Sequence, residues 1–144
     1  MRKISDIISK PSQAVQAMLD GMRASAQWKN FGISMSTFGG SFNEMCYGCA
    51  ATCAVYQIFE EVPTAENIME RHHTFNVVAE DLSRFEMAID AFRFGRLEYL
   101  FQYFGVDVSL VIPYECRIQL YINNWKNQVE EIEKIISELK LAGI

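Results

Sequence analysis

Ser41-Phe42-Asn43-Glu44-Met45-Cys46-Tyr47-Gly48-Cys49-Ala50-Ala51-Thr52-Cys53-Ala54-Val55-Tyr56-Gln57-Ile58-Phe59 is the stretch on which the fold turns. Gly39-Gly40 breaks the chain just before it. Ser41 and Glu44 then stand at capping-box spacing: the Ser41 hydroxyl can accept from the Glu44 amide while the Glu44 carboxylate reaches back to the Ser41 amide. The residues that follow are rich in Ala, and Pro63 stops any continuation. The spacing predicts a helix from 42 to about 61. On such a helix Cys46, Cys49 and Cys53 lie at i, i+3 and i+7 and share one face. The apolar core of the stretch, Met45 to Phe59, has 15 residues including Gly48, Thr52 and Gln57. A membrane-spanning helix needs roughly 20 apolar residues, so a buried helix is the expectation here.

Working outward, the helical period recurs. Val15, Met18, Leu19 and Met22 mark a helix over 12–26, with Ser12 placed to cap it. Thr64 can cap a short helix to about Arg71. Asn76 can cap the next, where Val78, Leu82, Phe85, Ile89 and Phe92 step by four and three. Gly95 interrupts this pattern and Gly105 ends it, as a C-cap glycine does. After Pro113, Ile118, Ile122, Trp125, Val129, Ile132, Ile136 and Leu139 step alternately by four and three, a heptad seam. The corresponding helix would run about 25 residues, or ~38 Å at the α-helical rise. Two runs alternate with a strand-like period: Phe31, Ile33 and Met35 within 31–38, and Val106, Val108, Leu110 and Ile112 within 106–112. These patterns predict an all-α fold: a single-domain helical bundle over 1–144 with a long C-terminal helix. The two alternating runs leave room for a minor two-stranded β ribbon packed on the helices.

Composition narrows the function classes. The chain of 144 residues is 50% hydrophobic and 12% aromatic, enough to bury one core and too short for two. Its net charge of −5 argues against a general phosphate-backbone binder, so no direct nucleic-acid contact is expected. Charge is unevenly spread: residues 31–63 contain no Lys or Arg and only Glu44, Glu60 and Glu61. No apolar run follows Met1-Arg2-Lys3 as a signal peptide requires. With four cysteines and no export signal, reduced thiols in a cytoplasmic protein are the expectation, with no membrane association.

Three clusters invite a chemical reading. Cys46, Cys49 and Cys53 on one helix face, completed by Cys116, could hold a soft metal such as Cu(I) or zinc. The same face, with Phe42, Tyr56 and the neighbouring alanines, equally describes core, because a free cysteine packs as a small hydrophobe. His72 and His73 are adjacent, so on a helix they point about 100° apart and fit the cation-favouring end of a helix better than one metal site. Phe92-Arg93-Phe94-Gly95-Arg96, with Tyr99, Phe101, Tyr103 and Phe104, interleaves Arg with rings in a manner that can stack bases. Helical spacing and the negative charge of the segment favour core packing with a cation–π contact.

Cys46-Tyr47-Gly48-Cys49-Ala50 loosely resembles the local signature of papain-like cysteine proteases, in which the second cysteine opens a helix and is the nucleophile. The resemblance covers these five residues and would make Cys49 the nucleophile. Tyr47 and Gly48 depart from the family's pattern, and Asn43 stands where its oxyanion-stabilising Gln would be. The only histidines, His72 and His73, lie far closer than the family's catalytic His. Within a helix that begins at 42, Cys46 and Cys49 would also lie one to two turns past the positive helix end that favours thiolates.

No phosphate loop, paired carboxylates or nucleophile with an adjacent base is evident. The expectation is therefore a non-enzymatic protein with no cofactor. It would be a small acidic interaction module, an adaptor or an inhibitor of a partner protein. A nucleic-acid-binding enzyme is one such partner, with surface carboxylates standing in for phosphates. The heptad residues Ile122, Trp125, Val129, Ile132, Ile136 and Leu139 are the candidate partner-binding set, toward another protein or a second copy of the chain. The competing reading is a thiol-dependent or soft-metal-binding protein using Cys46, Cys49, Cys53 and Cys116.

Overall fold

In the computed structural model, which describes residues 1–144, residues 41–59 form parts of three elements where the sequence predicts one. Gly40–Phe42 is a strand, Met45–Gly48 is a second strand, and a helix begins only at Ala50. Asn43 and Glu44 both take positive φ, 50° and 67°, which makes them the two-residue tip of a hairpin. The predicted capping box therefore does not form. Burial along Met45–Gly48 alternates residue by residue, a period of two rather than 3.6.

The elements in chain order are α1 (Pro11–Ala24), β1 (Phe31–Ile33), β2 (Gly40–Phe42), β3 (Met45–Gly48), α2 (Ala50–Phe59), α3 (Arg71–Thr74), α4 (Ala79–Arg93), α5 (Glu98–Tyr103) and α6 (Val129–Leu141). The three strands form one mixed sheet in the order β1-β3-β2. β3 pairs parallel with β1, Phe31 opposite Cys46 and Ile33 opposite Gly48. It pairs antiparallel with β2, Ser41 opposite Cys46. The fold is thus mixed α/β, and the expectation of an all-α bundle with at most a two-stranded ribbon is corrected. Phe31–Ile33 is a strand, but its partner is β3, not 106–112. Residues Val108–Tyr114 instead form a 3-10 helix, started by Asp107, whose carboxylate accepts from the Ser109 amide at 2.9 Å.

The long C-terminal helix is also corrected. Only Val129–Leu141 is α-helical, preceded by a 3-10 turn at Trp125–Gln128. The local reason lies at Asn124. Its Oδ1 accepts from the Tyr121 amide at 2.6 Å and its Nδ2 donates to the Gln119 carbonyl at 3.2 Å. Such side-chain bonds offer the backbone an alternative to helix. Upstream, Cys116 has φ of 60°, which an α-helix does not admit.

α1 and α4 follow the sequence closely, but the short helix predicted from Thr64 to about Arg71 is a run of turns, the helix there being only Arg71–Thr74, and α4 begins after Val78 with no cap from Asn76. α1 starts with Pro11 at its first position. Its cap comes from Gln13, whose Oε1 accepts from the amides of Ser9 and Lys10, while Ser12 donates to the Ile144 carbonyl. α4 buries Leu82, Phe85, Ile89 and Phe92, the stripe read from the sequence. A single cluster of 36 buried apolar residues runs from Ile4 to Ile144. At its centre α1 crosses α2 so closely that a Cβ on Gly21 would run into the Cys53 carbonyl. No helix is long and apolar enough to cross a membrane.

Candidate functional site

The hairpin reassigns the cysteines. Cys46 lies on β3, Cys49 is the residue just before α2, and Cys53 is one turn inside α2. Their relative exposures are 1%, 1% and 0%, so all three side chains belong to the core. Cys116 is exposed and stands apart on the loop beside Gly95. The predicted common helix face does not exist, and no three His, Cys, Asp or Glu side chains are placed to hold a metal ion.

Cys49 nonetheless occupies the position that the papain-like resemblance assigns it, at the start of a helix. Its amide donates to the Thr37 carbonyl at 2.7 Å, and its Sγ lies 3.8 Å from Thr52 Oγ1. Thr52 Oγ1 in turn donates to the Phe38 carbonyl at 2.6 Å. A small cavity of about 90 Å³ adjoins Cys49, lined also by Met35, Ser36, Thr37, Phe38, Asp90 and Arg93. Its charged residues are committed to each other: Arg93 Nε donates to Asp90 Oδ1 at 2.6 Å. Neither histidine lines the cavity. His72 and His73 sit together on α3, ring centroids 4.3 Å apart. Burial pushes the Cys49 thiol above its ordinary value despite the hydrogen bonds near it, and burial raises Cys46 and Cys53 as well. A thiol held protonated and sealed is a poor nucleophile and a poor metal ligand.

The heptad residues divide in two. Ile132, Ile136 and Leu139 are buried within the chain, where α6 packs on α1. The lower part of the seam is therefore intramolecular, and these three residues are not available to a partner in the folded chain. Trp125 is buried, Val129 is half-buried, and Ile122 is 57% exposed. These three line a groove of about 580 Å³ with Met22, Arg23, Ala26, Phe31 and Ile33. A second groove of about 550 Å³ continues from it, sharing Ile33 and Ile122 and adding Met35, Tyr47, Phe94 and Tyr121.

A third groove of about 580 Å³ lies between α4 and α5. Phe38, Met87, Ala88, Ala91, Tyr99 and Tyr103 supply its apolar walls. Met87 is 61% exposed, and Phe38 and Tyr99 are exposed beside it. The sequence carried one signal for this groove: Met87 falls off the Leu82-Phe85-Ile89-Phe92 stripe, on the face of α4 that solvation would make polar. Phe38 had no such signal, because its place depends on how the chain enters β2. The interleaved Arg and aromatic run resolves into core and pairs: Phe92 and Phe101 are buried, and the Arg93 guanidinium lies 4.0 Å from the Phe94 ring centroid. No protein-family model, curated protein or solved structure matches the chain.

Proposed function

We propose that this chain is a small acidic protein-interaction module, an adaptor or an inhibitor of a partner protein, and that it carries out no chemistry of its own. The observation that carries this reading is the gathering of exposed apolar side chains into grooves. Phe38, Met87 and Tyr99 surround one, and Phe94, Tyr121 and Ile122 border another, although single exposed apolar residues scattered over a surface would need no explanation. Grooves with apolar walls and a few polar residues at the rim are where partner side chains anchor. The buried, protonated state of Cys46, Cys49 and Cys53 lends no support to the thiol or metal reading.

Affinity capture from the native host with the intact chain, compared with Met87→Glu and Ile122→Glu, tests the proposal. Both residues are exposed, so circular dichroism should show both variants folded. A specific partner lost with one variant and kept with the other supports the reading. Capture that is indifferent to both, or a turnover that depends on Cys49, overturns it.

A further inference from the structure

The outer edge of β1 is open. In the parallel ladder the Cys46 amide donates to Asn30 O at 2.8 Å and the Ser34 amide donates to Gly48 O at 2.9 Å. Main-chain groups alternate direction along a strand, so those of Asn30, Gly32 and Ser34 serve β3. The N–H and C=O groups of Phe31 and Ile33 point the other way, at the edge of the sheet. Such an edge is a template for another strand.

The two contiguous grooves follow this edge. Phe31 and Ile33 form one bank, with Tyr121, Ile122 and Trp125 on the other. The charged residues that line them are Arg23, Arg93 and Lys126, all cations, on a chain whose net charge is −5. Arg23 is paired with Glu133 and Arg93 with Asp90, whereas Lys126 has no carboxylate within ion-pair distance and lies over the Trp125 ring. Lys29, just before β1, is likewise unpaired.

We propose that this edge binds an extended, acidic segment of a partner protein by strand addition. The segment continues the sheet beside β1. Its main chain bonds the Phe31 and Ile33 amides and carbonyls, and alternate apolar side chains enter the groove between Met22, Phe31, Trp125 and Val129. Its carboxylates meet Lys126 and Lys29. Main-chain pairing supplies affinity in this mode of recognition, and the pockets for alternate side chains supply selectivity. A second copy of the chain fits less well, because self-pairing would bring the unpaired Lys126 and Lys29 of one copy toward those of the other. The inference rests on the interaction reading above and names the partner chemistry for one of its grooves.

The test uses the full chain and three kinds of N-acetylated, C-amidated octapeptide. The first alternates Glu with Val around a central Phe. The second carries Lys in place of Glu. The third kind is the acidic peptide N-methylated at one or the other set of alternate nitrogens. Amide NMR shifts report the site, and static light scattering reports the mass. The acidic peptide should shift the Phe31 and Ile33 amides while the basic one does not. One of the two methylated forms should bind at least about tenfold more weakly, as loss of edge hydrogen bonds requires. Lys126→Glu should reverse the preference between acidic and basic peptides, and added salt should weaken the acidic one. Three results with bound peptide or chain overturn the inference, as does the absence of any peptide effect on β1. The three are equal binding of both charges, shifts confined to the Met87 and Tyr99 groove, and concentration-dependent dimerisation that itself shifts Phe31 and Ile33. If the peptides leave β1 untouched while a captured partner still depends on Met87, this inference fails and the interaction reading stands.

Discussion

Cys53 stands where α2 crosses α1 tightly, and the chemistry of its thiol follows from that position. Its carbonyl faces Gly21 and its sulfur is fully buried. Burial raises the thiols of Cys46, Cys49 and Cys53 from an ordinary value of 9.0, with the neighbouring Cys49 raising Cys53 further. The sign of the pH effect follows. Below pH 9.0 folded and unfolded chains both keep these protons, so the folded state loses nothing. Above it the unfolded chain sheds them while the folded chain cannot, and stability falls as pH climbs toward the folded values. Melting temperature should therefore drop steeply above pH 9.0, and less steeply in Cys53→Ala once its lower starting stability is taken into account. At neutral pH a disulfide reagent should label Cys116 within seconds to minutes and the other three only on unfolding. Rapid labelling of all four would contradict the buried placement.

Among the elements, the β2–β3 hairpin is the one that the sequence pattern conceals. Ser41 and Glu44 match a capping box, yet only Ala50–Phe59 is helical. The rest was hidden because the tip is Asn43-Glu44 rather than Asn-Gly, the pair that advertises a turn with both φ positive. Glu44 at φ 67° bears the cost of a side chain in the left-handed region. Glu44→Gly should stabilise the protein by about 0.5–1 kcal/mol in urea unfolding. If a helix ran through 42–61 instead, the same change would destabilise by a similar amount. The helical stripes of α1 and α4 were legible because each is long and buried on one side only. The C-terminal seam was legible from Val129 onward. Before that, its spacing survived while Asn124 and Cys116 turned the backbone elsewhere, a tertiary and local choice that apolar periodicity does not register. Of the candidate partner residues, Ile122 was readable as exposed only once that helix failed to form.

Across the whole molecule, Arg71 joins parts distant in sequence. Its Nε and Nη2 donate to both carboxylate oxygens of Glu86 on α4, at 3.1 and 2.9 Å, and its Nη1 donates to the Ile68 carbonyl at 2.7 Å. The guanidinium also packs under Gly39, at the entrance to the hairpin. Side-chain exposures of 13% and 5% make this a largely buried pair. Burial raises the Glu86 carboxyl against the opposing pull of Arg71. Removing Arg71 alone leaves a buried carboxylate without its cation, so Arg71→Met should cost about 3–5 kcal/mol. The double variant Arg71→Met/Glu86→Leu should recover most of that loss. Equal costs for the single and double variants, measured by chemical denaturation, would show that the pair contributes packing and no charge compensation.

The central position of β3 has a further consequence, for the order in which the chain assembles. β2 and β3 are joined by two residues and can zip together in about 1–10 μs. β1 meets β3 side by side and in the same direction, with β2 between them in sequence, so its pairing closes a longer loop than the hairpin does and carries the larger entropy cost. Phe31–Ile33 should therefore be the last strand to join the sheet, so the final rung to form lies next to its open margin.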